Sequence, residues 1–155
     1  MRKVFLLFFL IPAAFLDASC PFCHNEVIEK QYIAETKLTW TLYCLTPTTV
    51  GNVMVIPKRH IERFEEYSDE ELIEMKQAIQ KITARIEEVY GISEYVIIQK
   101  NGKQCGGQSV LHSHFHVIPA PIPFEQIVDT AFHFRERISD EEMSKRTAEL
   151  RQMDS

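Results

Sequence analysis

The segment that decides the fold is His112-Ser-His-Phe-His-Val-Ile-Pro119, which begins with histidine at alternate positions. Side chains of a β-strand alternate between its two faces, so His112, His114 and His116 are predicted to project from the same face of one strand. Neighbours on that face stand about 6.5–7 Å apart at their Cα atoms, which allows three imidazoles to converge on one small group. An ordinary core does not need three histidines in this arrangement, and the segment therefore predicts a chemical site.

A glycine-rich loop, Asn101 to Ser109, comes shortly before these histidines and holds three of the five glycines of the chain. Glycine lets a backbone approach a ligand closely and present its N–H groups as a nest for an anion. A neutral imidazole is a competent nucleophile, and a neighbouring imidazolium stabilises charge that develops on phosphoryl oxygens. Loop and histidines together predict phosphate chemistry. The spacing alone leaves a second possibility open, because alternating histidines on a strand also bind transition metals.

Four other short segments are rich in β-branched or aromatic residues. They are predicted to be strands, over Tyr32–Glu35, Thr39–Leu45, Val53–Pro57 and Tyr95–Lys100. Together with His112–Pro119 they make five. Strands and helices do not alternate regularly along the chain, which favours an antiparallel sheet over a doubly wound parallel one. The predicted fold class is therefore α+β.

The clearest helix is predicted over Asp69–Tyr90, where apolar residues recur at intervals of three and four. Ser68 and Glu71 form a capping box at its start, and Gly91 supplies its end. A shorter helix is predicted near Val27–Gln31. The apolar stripe of the long helix is most simply explained as the surface that covers the sheet.

The composition is that of an ordinary globular chain. Its 155 residues are 45% hydrophobic and 25% charged, and 22 acidic residues outnumber 17 Lys and Arg. Proteins that coat nucleic acids pair many basic side chains with phosphates, so a nucleic-acid partner is not expected here. Any phosphate that the chain handles is expected to bind locally, in a pocket.

The amino-terminal residues differ from the rest of the chain. Arg2 and Lys3 precede an uncharged apolar run from Val4 to Leu16, 13 residues long. That is the length of the apolar region of a signal peptide, and it is shorter than the roughly 20 residues that span a bilayer as a helix. We therefore expect a signal-peptide-like segment over residues 1–18, export to the periplasm and no stable membrane span. The alternative is a cytoplasmic protein whose start has been assigned too far upstream.

The remaining chain is predicted to form one domain over residues 19–123 and an extension over residues 124–155. The extension is expected to be partly helical from Ser139 onward. Phe124, Phe132 and Phe134 indicate that part of it packs against the domain.

The order of the motifs resembles one known family. Gly51-Asn-Val-Met-Val-Ile-Pro-Lys-Arg-His60, a long helix, Asn101 and Gly107-Gln-Ser-Val-Leu-His-Ser-His-Phe-His-Val-Ile118 follow one another. This order resembles the histidine triad (HIT) family of nucleotidyl hydrolases and transferases. The resemblance covers residues 20 to 121. It implies a HIT-like antiparallel five-stranded sheet with one long and one short helix, a homodimer, and a small-molecule nucleotide substrate.

The resemblance also implies roles for residues. In the family the middle histidine attacks the α-phosphorus of a nucleotide, and water hydrolyses the covalent nucleotidyl-histidine; that histidine is His114 here. His116 would stabilise the transition state, and its presence implies hydrolysis, because transferring relatives carry glutamine there. Ser109 would lie near the leaving group. The substrate class would be nucleoside phosphoramidates or dinucleoside polyphosphates, and the implied binding residues are Asn101, Gly107, Gln108 and His112.

One position departs from the family pattern. Members usually have an aspartate three residues before the proline of the loop, where it binds the ribose hydroxyls, and Cys44 stands there before Pro47. A thiol is a weak hydrogen-bonding group and cannot chelate a diol as a carboxylate does. Two alternatives to a standard family substrate follow. One is a nucleotide-like compound that is recognised differently at the ribose, and the other is a nucleotide that is bound without turnover.

Cys20-Pro-Phe-Cys23 admits three interpretations. The pair is half of a zinc site, and the resemblance implies that His60 and His112 complete a structural Zn²⁺ site; the sequence spacing alone does not assign these partners. The motif also resembles the active-site frame of thiol–disulfide oxidoreductases, which need a strand before it. A structural disulfide or free thiols are the third interpretation.

Overall fold

The computed structural model describes residues 20–102, 104–105, 109–132 and 136–151. Within them, five strands form one antiparallel sheet in the order β1-β2-β3-β5-β4. The strands are β1 (Tyr32–Glu35), β2 (Thr39–Tyr43), β3 (Val53–Pro57), β4 (Tyr95–Gln99) and β5 (Phe115–Pro119). The predicted α+β class and the antiparallel five-stranded sheet are confirmed. Strands β1 and β4 are the two edges.

The predicted bounds of β1 and β3 are confirmed, while β2 and β4 are slightly shorter than predicted. The largest correction concerns the histidine strand, since β5 begins only at Phe115 and His112 and His114 precede it. The β3–β5 pairing stops at Val55 and Phe115. Two residues after Val55 comes Pro57, which has no N–H to continue the ladder, and its carbonyl accepts instead from the His112 ring.

The described residues form four helices, α1 (Asn25–Gln31), α2 (Asp69–Tyr90), α3 (Phe124–Phe132) and α4 (Asp140–Arg151). The prediction for α2 is confirmed in detail. The Ser68 hydroxyl accepts from the Glu71 amide, the Glu71 carboxylate accepts from the Ser68 amide, and Gly91 adopts the left-handed conformation at φ +68°.

Within residues 19–123 the expected long and short helix are confirmed as α2 and α1, while α3 and α4 lie in the extension that follows. Sequence reasoning placed α4 correctly, and the Ser139 hydroxyl accepts from the Glu142 amide at its start. Helix α3 was missed because the prolines before it were interpreted only as the end of a strand. The Pro123 carbonyl accepts from the Ile127 amide, so Pro123 also begins a helix.

Each face of the sheet carries its own hydrophobic cluster. On one face, Val53, Val55 and Val117 pack with α2 and α4 through residues that include Met75, Ile82, Ile86, Met143 and Leu150. On the other face, Leu42, Met54 and Ile56 pack with Cys20, Phe22, Ile28 and Cys44. Residues 20–31 therefore cover the face opposite α2. His116 is opposite Met54 in the β3–β5 register, which puts it on this second face.

Among its described residues, the extension packs through side chains that were not predicted to pack. Ile127, Met143 and Leu150 are fully buried, whereas Phe124 is 58% exposed. The side chain of Phe132 and the whole of Phe134 lie outside the described residues, as does the signal-peptide-like segment 1–18. In the part of the chain that is described, no helix combines the length and the apolar character that crossing a membrane requires.

Candidate functional site

Two cysteines and two histidines from distant parts of the chain converge beside the sheet. The ligand atoms of Cys20, Cys23, His60 and His112 all lie within 4.8 Å of one another. The Sγ atom of Cys20 lies 3.4 Å from His112 Nδ1, and the Sγ atom of Cys23 lies 3.4 Å from His60 Nδ1 and 3.8 Å from His112 Nδ1. In a tetrahedral site with bonds of about 2.0–2.3 Å, ligand atoms stand about 3.3–3.8 Å apart. The four residues therefore fit a metal ion.

The protonation of the His112 ring also suits a metal ligand. Its Nε2–H donates to the Pro57 carbonyl over 2.9 Å, which leaves Nδ1, the nitrogen nearest the sulfurs, with a free lone pair. Burial lowers the pKa of His112 to about 4, so the ring is neutral at pH 7. Burial raises the pKa of the Cys20 thiol to about 11, so a metal ion must displace a proton to bind that sulfur.

His114 is half-buried and lies next to this cluster in the chain. Its Nδ1 is 2.7 Å from the His112 carbonyl oxygen. Because a carbonyl only accepts, Nδ1 must carry the proton, and the neutral ring has its lone pair on Nε2. The ring packs edge-on against Phe22 and His116, with centroids 5.6 Å and 4.9 Å away. With the proton on Nδ1, Nε2 is the ring nitrogen that is able to act as a nucleophile.

The peptide unit that orients His114 is itself anchored. The carbonyl of His112 and the N–H of Ser113 belong to one peptide, and that N–H donates to the Ile61 carbonyl over 2.6 Å. The Ser113 hydroxyl accepts from Gln99 Nε2 over 3.1 Å. Ser113 is completely buried. Sequence reasoning missed Ser113 and Gln99, since a single serine or glutamine in an apolar strand region carries no recognisable pattern.

Only some of the predicted loop residues lie in the part of the chain that the structure describes. The Asn101 Oδ1 atom accepts from the Phe64 amide and from Gln99 Nε2, each over 2.9 Å, which turns the amide nitrogen away from these two contacts. Ser109 is exposed at the end of the loop, and Gly107 and Gln108 lie outside the described residues. Asn101 and Ser113 thus share one hydrogen-bonding partner, Gln99, and Ser113 immediately precedes His114.

Cys44 lies on the sheet face that carries His116. It is buried, and it shares the apolar cluster of Phe22, Leu42 and Met54. Its Sγ–H donates to the Thr46 carbonyl over 3.5 Å. The position therefore holds a small, buried thiol rather than a charged acceptor.

Residues 25–121 of the chain match the HIT domain. The chain belongs to the HIT domain family. An adenosine 5'-monophosphoramidase of Schizosaccharomyces pombe is 36% identical over 105 residues, which cover 66% of this chain and 75% of that protein. A bis(5'-adenosyl)-triphosphatase of Dictyostelium discoideum is 35% identical over 120 residues, 75% of this chain and 80% of that protein.

A solved structure of a Zn-bound histidine triad family protein from Mycobacterium smegmatis is 25% identical. It superposes with a TM-score of 0.65 over 87% of this chain and 95% of its own. The family resemblance in the sequence is thereby confirmed. In this HIT domain the central histidine of the triad lies beside the Cys2His2 cluster rather than within it, since His112 takes part in the cluster and His114 does not.

Proposed function

We propose that this HIT domain hydrolyses a nucleotide-like substrate at its α-phosphorus through a covalent nucleotidyl-histidine on His114. The observation that carries the proposal is the hydrogen bond from His114 Nδ1 to the His112 carbonyl. It assigns the lone pair to Nε2, as in-line attack on phosphorus requires. The relatives named as a phosphoramidase and a triphosphatase support the hydrolysis of phosphorus–nitrogen or phosphorus–oxygen bonds.

The reaction proceeds in two displacements. The Nε2 lone pair attacks the α-phosphorus, a phosphorus–nitrogen bond forms, and the bond to the leaving group breaks. The leaving group departs with the bonding electrons and takes a proton through the Ser109 hydroxyl, which regains one from solvent. Water then attacks the same phosphorus, the phosphorus–nitrogen bond breaks, and the electron pair returns to Nε2. A nucleoside monophosphate and one proton are released. His116, whose ring centroid is 4.9 Å from that of His114, stabilises the charge on the phosphoryl oxygens.

Asn101 and the loop residues Gly107 and Gln108 are proposed to bind the phosphate. His112 is fully buried and its ring faces Pro57 and the cysteines, so it is proposed to act on the site through its carbonyl, which accepts from His114. With a thiol at position 44, the ribose diol is not chelated, and recognition relies on the phosphate and on apolar contacts. Nucleoside phosphoramidates and dinucleoside polyphosphates are the substrate class to test first.

The decisive experiment incubates the protein with adenosine and guanosine phosphoramidates and dinucleoside polyphosphates, and measures turnover together with the mass of the protein. A nucleotidyl adduct on His114 is expected, and His114→Ala should lose the adduct and at least about 1,000-fold of kcat/KM. His24→Ala removes an exposed imidazole at the start of α1 and should change neither. If the protein binds nucleotides without turning them over, it is a binding module and not an enzyme. If it shows no binding and no turnover, the proposal is refuted.

We also propose that the Cys2His2 cluster holds a structural Zn²⁺ ion. The sulfur and nitrogen donors, their distances and the Zn-bound relative support zinc over harder metals. The ion would tie residues 20–23 to the segments that carry His60 and His112. Wild-type protein should contain one zinc per chain, and His60→Ala should lose it. Cys105→Ser, which removes an exposed thiol outside the cluster, should keep it.

Two further proposals concern assembly and location. A homodimer is supported by the edge strand β4, where Tyr95 and Ile97 are 44% and 43% exposed. The mass of the particle in solution tests it, and Ile97→Lys should produce monomers.

Export is supported by Arg2, Lys3 and the apolar run that follows them. Cell fractionation and sequencing of the mature amino terminus test it.

A further inference from the structure

Phe22 contacts both His112 of the Cys2His2 cluster and His114. Its side chain is 5% exposed. The ring lies edge-on to His112, with centroids 5.8 Å apart and planes at 81°, and edge-on to His114, with centroids 5.6 Å apart and planes at 77°. A single apolar side chain therefore borders one imidazole of the Cys2His2 cluster and the imidazole whose Nε2 is the attacking atom.

Contacts with neighbouring rings limit how far the imidazole of His114 can tilt about its side-chain torsions. The bond from Nδ1 to the His112 carbonyl sets which nitrogen is protonated, and a hydrogen bond tolerates a range of angles within which the ring can tilt. Tilting moves Nε2, and a displacement of about 1 Å at a reacting atom can cost roughly 100-fold in rate. The ring of His116, with its centroid 4.9 Å away, and the ring of Phe22, on the side of the cluster, both limit this tilt.

Phe22 is in turn held by the residues on either side of it. The amide of Cys23 donates to the Cys20 carbonyl over 3.0 Å, which closes a tight turn around the aromatic residue. The sulfurs of both cysteines point into the cluster, and the ring packs with Leu42 and Ile56 on the sheet. The position of the ring is therefore set jointly by the sheet and by the two cysteine ligands.

We propose that Phe22 is a positioning residue for His114, and that its ring transmits the order of the Cys20–Cys23 turn to the plane of the attacking imidazole. The proposal rests on the proposed function for its effect on rate. When a metal ion occupies the cluster, the same contacts make the orientation of His114 depend on the metal ligands without any direct bond between His114 and the ion.

The kinetic test compares Phe22→Leu with Ile28→Ala. Leucine keeps an apolar side chain but loses the ring, while Ile28 is a buried residue of α1 in the same cluster and its truncation loosens the same region. Phe22→Leu should lower kcat about 10- to 100-fold and leave KM within about 2-fold, because binding is kept and orientation is lost. Ile28→Ala should lower the melting temperature with kcat within about 2-fold of wild type. Equal losses of kcat in the two variants would overturn the proposal.

A spectroscopic test does not depend on turnover. At about pH 8, above the ordinary histidine pKa of about 6.5, nitrogen-15 shifts of the His114 ring report which nitrogen carries the proton and how uniform the ring environment is. Wild type and Ile28→Ala should show one Nδ1–H form, and Phe22→Leu a broadened or shifted set. Unchanged His114 signals in Phe22→Leu overturn the positioning role. A wild type without turnover refutes the proposed function alone, since this comparison still decides the role of Phe22. Phe22→Met, of similar volume, serves if leucine prevents folding.

Discussion

Replacing Asn52 with alanine should lower the free energy of unfolding by more than the loss of any single hydrogen bond around the site. Asn52 is completely buried and immediately precedes β3. Its Oδ1 accepts from the Thr48 amide over 3.1 Å, and its Nδ2 donates to the carbonyls of Val53 and Val117 over 3.2 Å and 3.1 Å. The amide thus joins the loop before β3 to β5, the strand that carries His116.

The three bonds set the size of the effect. At about 1 kcal/mol for each buried hydrogen bond, Asn52→Ala should lower the free energy of unfolding by about 3 kcal/mol, with some increase from groups that are left unsatisfied. With a urea m-value of about 1.5–2 kcal/mol/M, the midpoint of unfolding should fall by about 1.5–2 M. Asn52→Asp should cost at least as much, because its carboxylate would face the two carbonyl oxygens that the amide now donates to.

Urea unfolding followed by the fluorescence of Trp40 measures the change. Thr49→Val is the matched control, because the Thr49 hydroxyl makes one bond between the same loop and the same strand, donating to the Pro119 carbonyl over 2.7 Å. It should cost about 1 kcal/mol. If Asn52→Ala costs no more than Thr49→Val, the amide does not join the loop and β5 in the way described, and the reasoning fails.

Three other changes have expected outcomes. Burial raises the pKa of Glu71, but the hydrogen bonds from Arg59 and Ser68 outweigh it and hold that pKa below the usual value. The contribution of Glu71 to stability is therefore present above the unfolded pKa of about 4.3 and is lost as the pH falls through the lower folded pKa. Glu71→Gln should lower the free energy of unfolding by about 1–2 kcal/mol at pH 7 and should flatten the acid side of a plot of stability against pH. Removing zinc with a chelator should lower the melting temperature. The affinity for zinc should rise at least roughly tenfold per pH unit between about pH 6 and 8, because the Cys20 thiol, with its pKa of about 11, must lose a proton. Calorimetry that finds no proton release on zinc binding would contradict this. Cys44→Asp should raise the preference for ribonucleotides over 2',3'-dideoxy analogues by about 10-fold or more in kcat/KM, through hydrogen bonds to a charged acceptor, and an unchanged ratio would show that the ribose does not reach this position.

The elements that sequence reasoning predicted best are those with strong local causes. Helix α2 begins and ends as predicted because Ser68, Glu71 and Gly91 cap it through contacts within a few residues. Strands β1 and β3 also have their predicted bounds. The end of pairing near His112 was not predictable in the same way, because it depends on Pro57 of another strand.

The site divides along the same line. Histidines at alternate positions, a glycine loop and a cysteine pair are visible in the sequence, and they suffice to indicate phosphate chemistry and half of a metal site. The partners of the cysteines are not visible, because His60 and His112 lie 37 and 89 residues beyond Cys23. Phe22 and Gln99 were likewise invisible, since a phenylalanine and a glutamine acquire a role here only through what they touch.

The sequence by itself determined the class of chemistry, because residue types and their short-range spacing set which groups are present and which are capped. Only the tertiary structure decided which ring nitrogen of His114 carries the proton. The peptide between His112 and Ser113 is anchored to the Ile61 carbonyl, and its own carbonyl makes His114 carry its proton on Nδ1. Which ring nitrogen of His114 carries the proton thus depends on a neighbouring peptide that the distant Ile61 carbonyl holds in place, and this contact forms only when the two segments pack together.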